Sequence, residues 1–315
     1  MLVLQQMMAL FLVMIAGFFA QQKGILDESA CKKVSWIVVN IANPAMVLSS
    51  VSGEGRIRSG EMAVMGMISI GVFLSLIGLA LVLPKILHVA REQYGVYRVM
   101  TVFSNIGFMG FPILTALYGK KSLLYAAMFV LAYNVLVYTY GVLCLEPKGH
   151  KAKASGGIVL ECLKKIGNVG VLASLGALAL YFGDIPLPGM CSQVFDMLAD
   201  MTAPLSMMVI GASFGQMSVR EMATDLRLLV FSGIKLLLIP IGGMWILSKF
   251  VDNSMLLGVC MVMLATPVGS MTAMLAQQYN CDSELASKGV ALTTLLSVAT
   301  IPLVSAACRG MGIPV

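Results

Sequence analysis

Long apolar runs separated by short polar clusters dominate this chain. They lie near residues 2–20, 34–51, 62–83, 99–118, 122–145, 166–182, 194–214, 228–248, 255–278 and 288–307. Each is about as long as a helix needs to cross a hydrocarbon core of about 30 Å. The alternation with a period of two that marks a transmembrane barrel is not the pattern here. Ten membrane-spanning helices are therefore predicted. The longest polar connector, "EPKGHKAKASGG" at 146–157, is too short for a soluble domain. It divides the chain into a first five-span unit, 1–145, and a second, 158–315.

The two units carry related sequences. "NIANPAMVL" (40–48) resembles "DMTAPLSMM" (200–208). Asn40 and Asp200, Pro44 and Pro204, Gly55 and Gly215, and Glu61 and Glu221 all stand at an offset of 160; Tyr118 and Tyr279, and Ser122 and Ser283, stand at 161. An odd number of spans per copy turns the second copy upside down. The predicted fold is thus an all-α polytopic membrane protein of two inverted five-helix repeats. Many secondary transporters have this architecture, with the site near the bilayer midplane between the repeats.

Two spans contain residues that disturb a helix. The fourth reads "SNIGFMGFPILTALYG" (104–119) and the ninth "LATPVGSMTAMLAQQYN" (264–280). A broken helix in lipid leaves N–H and C=O groups without partners, so a break persists only where it meets protein or lines a cavity. Gly107 and Gly110 weaken the fourth span, and Pro112 removes a donor. Pro267, Gly269 and Ser270 interrupt the ninth. Asn43 and Pro44 in the second span and Pro204 in the seventh mark further candidate breaks. Matched breaks in two halves point to a binding site, and half-helix N-termini there favour an anion. Taken singly, Pro112 reads equally well as a simple kink and Gly110 as a packing notch.

Composition and charge refine this picture. The 315 residues are 59% apolar and 11% charged, with a mean hydropathy of +0.92. Of the Lys and Arg residues in connectors, twelve fall in one alternate set of loops and six in the other. The richer set should be cytoplasmic, which places both termini outside and 146–157 inside. The net charge of +6 then reflects topology, and nucleic acid is not an expected partner. Seven scattered cysteines lack metal-ligand or redox spacing. No nucleophile elbow, zinc-protease or P-loop motif occurs, so an enzyme, a metal site and an organic cofactor are not expected. The first apolar run lacks a basic segment before it and reads as a span in place of a cleaved signal peptide.

Asp200 and Lys235 sit deep in the seventh and eighth spans, where ionisable groups are costly. They are expected to approach each other, with Asp200 exchanging a proton as the pair opens. A static ion pair is the alternative. Asn134 and Thr294 complete a candidate ion-coupling set, although, like Thr293 and Ser297, they also suit helix packing.

At the level of motif, "NIGFMGFPI" (105–113) resembles the fourth-span signature of the auxin efflux carrier family. "ATPVGSMTAMLAQQYN" and "ASKGVALTTLLSVATIPLVS" are similar to the ninth and tenth spans of its prokaryotic members, and "DMLADMTAPLSMMVIGASF" to the seventh. The resemblance implies a scaffold of spans 1, 2, 6 and 7. The remaining spans would form a transport domain in which spans 4 and 9 cross at their breaks. It also implies an organic anion as substrate, a dicarboxylate such as malate or malonate, an elevator-like movement, and a homodimer through the scaffold. Asn105 matches the family's substrate-binding asparagine; its counterpart falls at Thr266, where plant members have an amide. Gly107, Gly110 and Ser270 complete the implied substrate set, in the cytoplasmic membrane, with a proton or sodium ion as the coupling ion or facilitated flux. Two alternatives stand beside this: a sodium-coupled symporter of the bile-acid type, and an anion-binding membrane receptor that moves nothing.

Overall fold

The computed structural model describes residues 2–50, 59–145, 169–215 and 225–315. The connector 146–157, Gly55 and Glu221 lie outside them. Among the described residues the protein is all-helical, with one isolated strand-like bridge. Before the connector come α1 (Leu2–Gln22), α2 (Glu28–Ile37), α3 (Asn43–Ser49), α4 (Ser59–Ile86), α5 (Tyr94–Val102), α6 (Phe111–Tyr118), α7 (Ser122–Leu136) and α8 (Val142–Leu145). After it come α9 (Val169–Phe182), α10 (Gly189–Asp200), α11 (Thr202–Gly215), α12 (Leu226–Gly233), α13 (Ile239–Leu247), α14 (Ser254–Ala265), α15 (Met271–Gln278) and α16 (Ser283–Gly310).

Helix occupies each segment where a span is expected. Five stretches are long and apolar enough to cross a membrane: Gly60–Ile86, Ser122–Leu145, Gly189–Gly215, Leu226–Leu247 and Ser283–Gly310. Met8–Gln22, Ile106–Tyr118, Val169–Phe182 and Ser254–Ala265 are shorter apolar helices. Two of these are short because the fourth and ninth segments really are broken. Polar side chains set several starts. Asp27 accepts from the Ala30 N–H, Asp225 from the Arg227 and Leu228 N–H groups, Asn253 from Met255 and Leu256, and Asp282 from Leu285. Each satisfies first-turn donors that have no partner within the helix.

Prolines act more mildly than expected. Wide turns span Val38–Ala42, Ile106–Gly110, Val137–Gly141 and Ile234–Leu238. Three of them are followed two residues later by Pro44, Pro112 and Pro240, each in the first turn of the next helix. A proline ring clashes with the carbonyl four residues back. One extra residue in the preceding turn displaces that carbonyl, and the helix runs on. Pro44 and Pro112 therefore do not interrupt their segments. In the seventh segment the interruption is at Met201, and Pro204 sits in the first turn of α11, where its missing N–H has no intrahelical task.

The packing falls into two groups. In one, α1 lies against α11, and α3 against α9 and α10. The α1 and α11 backbones touch: a Cβ at Gly17 would collide with the Met208 carbonyl, and one at Gly211 with the Met14 carbonyl. Small residues permit this approach where helices have no water to exclude. In the other group, α4 packs on α5 and α7, while α16 packs on α5, α12, α13, α14 and α15. Edge-to-face rings brace this group: Tyr97 meets Phe231 at 5.3 Å between centroids, and Phe103 meets Tyr133 at 5.3 Å.

Candidate functional site

The breaks of the fourth and ninth segments meet. α5 ends at Val102, and Phe103 turns extended (φ −101°, ψ 105°). α14 ends at Ala265, and Thr266 is extended (φ −66°, ψ 145°) because Pro267 follows it. The two extended pieces then pair antiparallel. The Asn105 N–H donates to the Pro267 carbonyl at 2.7 Å, and the Gly269 N–H donates to the Phe103 carbonyl at 2.9 Å. Ser104 and Val268 face each other between these bonds. The Val268 N–H donates to Thr293 Oγ1 at 3.1 Å. Groups freed by one break are thus satisfied by the other, and lipid never has to accommodate them. Gly269 is required by closeness: a Cβ there would stand 3.0 Å from the Ser104 carbonyl oxygen.

A cavity lies on each side of this crossing. The larger, about 360 Å³, is lined by Asn43, Ser104, Asn105, Tyr133, Asn134 and Ser270 among others. The smaller, about 210 Å³, has hydroxyls from Ser35, Ser213, Ser287 and Thr294. Asn105, Phe108 and Ser270 line both. Among the described residues, no acidic or basic side chain lines either one. Asn105 caps the start of the wide turn before α6, its side-chain oxygen accepting from the Phe108 N–H at 3.3 Å. Its amide NH2 group is left over for other partners. Asn43 is buried, and its Oδ1 has no partner.

Lys235 stands behind the crossing. It is fully buried in the wide turn between α12 and α13. Its Nζ donates to the Thr101 carbonyl at 3.0 Å and to Ser104 Oγ at 2.9 Å. Thr101 is in the last turn of α5, whose carbonyls lack intrahelical donors and carry the negative end of the helix dipole. The expected pairing with Asp200 is not formed. Asp200 ends α10 on an exposed face and lines neither cavity.

The other expected residues divide. Asn105, Gly107, Ser270, Gly269, Asn43, Pro44 and Asn134 line the larger cavity, and Thr294 the smaller. Thr266 does not: it is fully buried and its hydroxyl donates to the Met263 carbonyl at 3.0 Å. Gly110 and Pro112 are buried beyond the crossing, and Pro204 is exposed on α11. The fourth-segment break lies at Phe103–Asn105, ahead of Gly107, Gly110 and Pro112. Ser104, Phe108 and Tyr133 join the site without having been singled out. For Ser104 the signal was present, a second polar residue beside Asn105 in an apolar run.

A family model described as "Membrane transport protein" matches residues 2–305. The chain belongs to this family. It is the auxin efflux carrier family that the motifs resemble. Curated relatives match over nearly full length. An uncharacterized transporter of Methanothermobacter thermautotrophicus is 21% identical over 306 residues, covering 95% of this chain and 96% of its own. The uncharacterized transporter MJ1031 of Methanocaldococcus jannaschii is 23% identical over 303 residues, covering 93% and 94%. The uncharacterized transporter YfdV of Escherichia coli is 20% identical over 313 residues, covering 94% and 95%. The protein is a membrane transport protein, and the family is one of transporters in place of enzymes.

Proposed function

We propose that this family member is a secondary carrier of a small organic anion, a mono- or dicarboxylate of the malate or malonate type, working by alternating access. The observation that carries this reading is the crossing itself. Two broken helices satisfy each other's backbone between two cavities, and Asn105, Phe108 and Ser270 belong to both. A group that moved relative to its surroundings would offer the same residues first to one cavity and then to the other.

The reading includes ten spans in two inverted repeats. Contacts recur in related pairs: α1 with α11 and α9 with α3, α4 with α5 and α13 with α14, α4 with α7 and α13 with α16. The crossing bonds exchange under the same two-fold, Asn105 taking the place of Gly269 and Phe103 that of Pro267. In this reading the group holding α1, α2, α3, α9, α10 and α11, spans 1, 2, 6 and 7, is the scaffold and the second moves against it. The protein sits in the cytoplasmic membrane with both termini outside, and a homodimer would form through the scaffold. Coupling is to a proton or sodium gradient, or flux is facilitated. A bile-acid-type sodium site is less well supported, since no carboxylate among the described residues lines either cavity.

Uptake of labelled malate and malonate into proteoliposomes, with and without an imposed proton gradient at fixed sodium, tests this. Saturable uptake of either acid is expected. Absence of uptake of both, under every gradient, removes the carboxylate assignment.

A further inference from the structure

Lys235 is the one fully buried charged side chain among the described residues. No described carboxylate forms an ion pair with it. A cation at this depth without a counter-ion is expensive, and such groups persist where they serve a pathway. Its two hydrogen bonds show how the ammonium group is accommodated. One goes to the Thr101 carbonyl, at the negative end of α5. The other goes to Ser104 Oγ, in the extended piece that pairs with Val268.

Ser104 has a second property. It lines the larger cavity. A serine oxygen that accepts from an ammonium has committed a lone pair and keeps its own O–H as a donor. The neighbouring cation polarises that hydroxyl and strengthens any bond it gives. When Lys235 is protonated, the cavity feels a positive charge that it does not touch. Asn105 adds an amide donor on the next residue. Donors facing a cavity, backed by a buried cation, favour an anion over an uncharged molecule of the same shape.

We propose that Lys235 is the positioning residue of the crossing and the fixed charge behind its selectivity: it ties the last turn of α5 to Ser104, and the Ser104 hydroxyl donates to a carboxylate in the larger cavity. This rests on the carrier reading above. It adds the element on which the choice of anion depends and separates it from Asp200.

The test uses purified full-length protein in liposomes, with malonate as substrate and its uncharged analogue malonamide as competitor. Lys235→Met keeps the unbranched stem and removes the charge. It is expected to raise the KM for malonate about tenfold or more, the range of a lost hydrogen bond to a charged group. Inhibition by malonamide should be unchanged, so the preference for the acid over the amide collapses. A merely structural role would weaken both probes together. Ser104→Ala should shift the preference in the same direction, and the double variant should be no worse than Lys235→Met. An unaltered malonate KM in Lys235→Met, or an equal loss for both probes, overturns the proposal. If Lys235→Met does not fold, Ser104→Ala decides alone, and an unchanged preference overturns the proposal. A wild type that takes up neither malonate nor malate sinks the carboxylate assignment and this proposal with it; if it takes up malate alone, malate and its diamide replace the two probes; wild-type uptake that Lys235→Met leaves intact sinks only this proposal.

Discussion

Asn43 and Asn105 present amides to the same cavity, but their local situations differ. The Asn105 oxygen is engaged by the Phe108 N–H, whereas Asn43 Oδ1 is buried without a partner. An orphaned buried acceptor costs about 1–3 kcal/mol. Asn43→Leu should therefore leave thermal stability equal or higher while uptake is lost; a destabilised variant with normal uptake would make Asn43 a packing residue. Asn105→Ala removes a helix cap as well as the proposed substrate contact. It should lower the unfolding free energy by about 1 kcal/mol and reduce uptake about tenfold or more. Melting curves and flux on one preparation check both. Asn105 was legible in the sequence because an amide in an apolar run is conspicuous. The partner of Lys235 was not, since Thr101 and Ser104 lie more than a hundred positions away.

Among the elements, the broken helices decide most. The crossing pairs Ser104 with Val268, an offset of 164, whereas the matched residues on either side stand at offsets of 160 to 161. α5 has nine residues and α14 has twelve, and the wide turn Ile106–Gly110 has no counterpart before α15. The resemblance put the counterpart of Asn105 at Thr266, whereas at the crossing it is the Gly269 N–H that makes the bond matching that of Asn105. The two breaks are thus unequal at the crossing: one offers an amide, the other a glycine that makes room. Gly269→Val should abolish uptake by pushing on the Ser104 carbonyl. Pro112→Ala, by contrast, should stay within about 1 kcal/mol of wild type in stability, because the preceding wide turn already accommodates the ring. Loss of uptake in Pro112→Ala with Gly269→Val active would reverse this assignment of the break.

At the scale of the molecule, two contacts report how the groups are held. Gly17 and Gly211 bring α1 and α11 into backbone contact. Gly17→Leu should force the helices apart and destabilise by about 1–3 kcal/mol or more, seen as a lower melting temperature. Between the groups, Lys120 Nζ lies 2.8 Å from Asp196 Oδ1, joining the end of the fourth segment to α10. Both side chains are more than a third exposed, so breaking this pair should cost at most about 1 kcal/mol. If the groups move against each other, this contact must open. Cysteines at both positions, joined by a short bifunctional reagent, should arrest uptake, while either single cysteine should not. Continued uptake after joining would exclude motion at this boundary.

Apolar run length by itself determined that the chain is helical, that it belongs in lipid, and roughly where its segments lie, although several helices start about five residues earlier than their apolar runs. These follow from local backbone chemistry: in a hydrocarbon core only a helix satisfies its own hydrogen bonds over such runs. Internal similarity also placed disturbances in the fourth and ninth segments. Only the tertiary structure decided which residues form the break, because a proline can be absorbed by a wide turn or can end a helix, and the choice depends on what waits beyond it. Here the partner of each break is the other break. The same holds for charge: burial depth made Lys235 conspicuous, but its role follows from the helix end and the serine that packing brings to it.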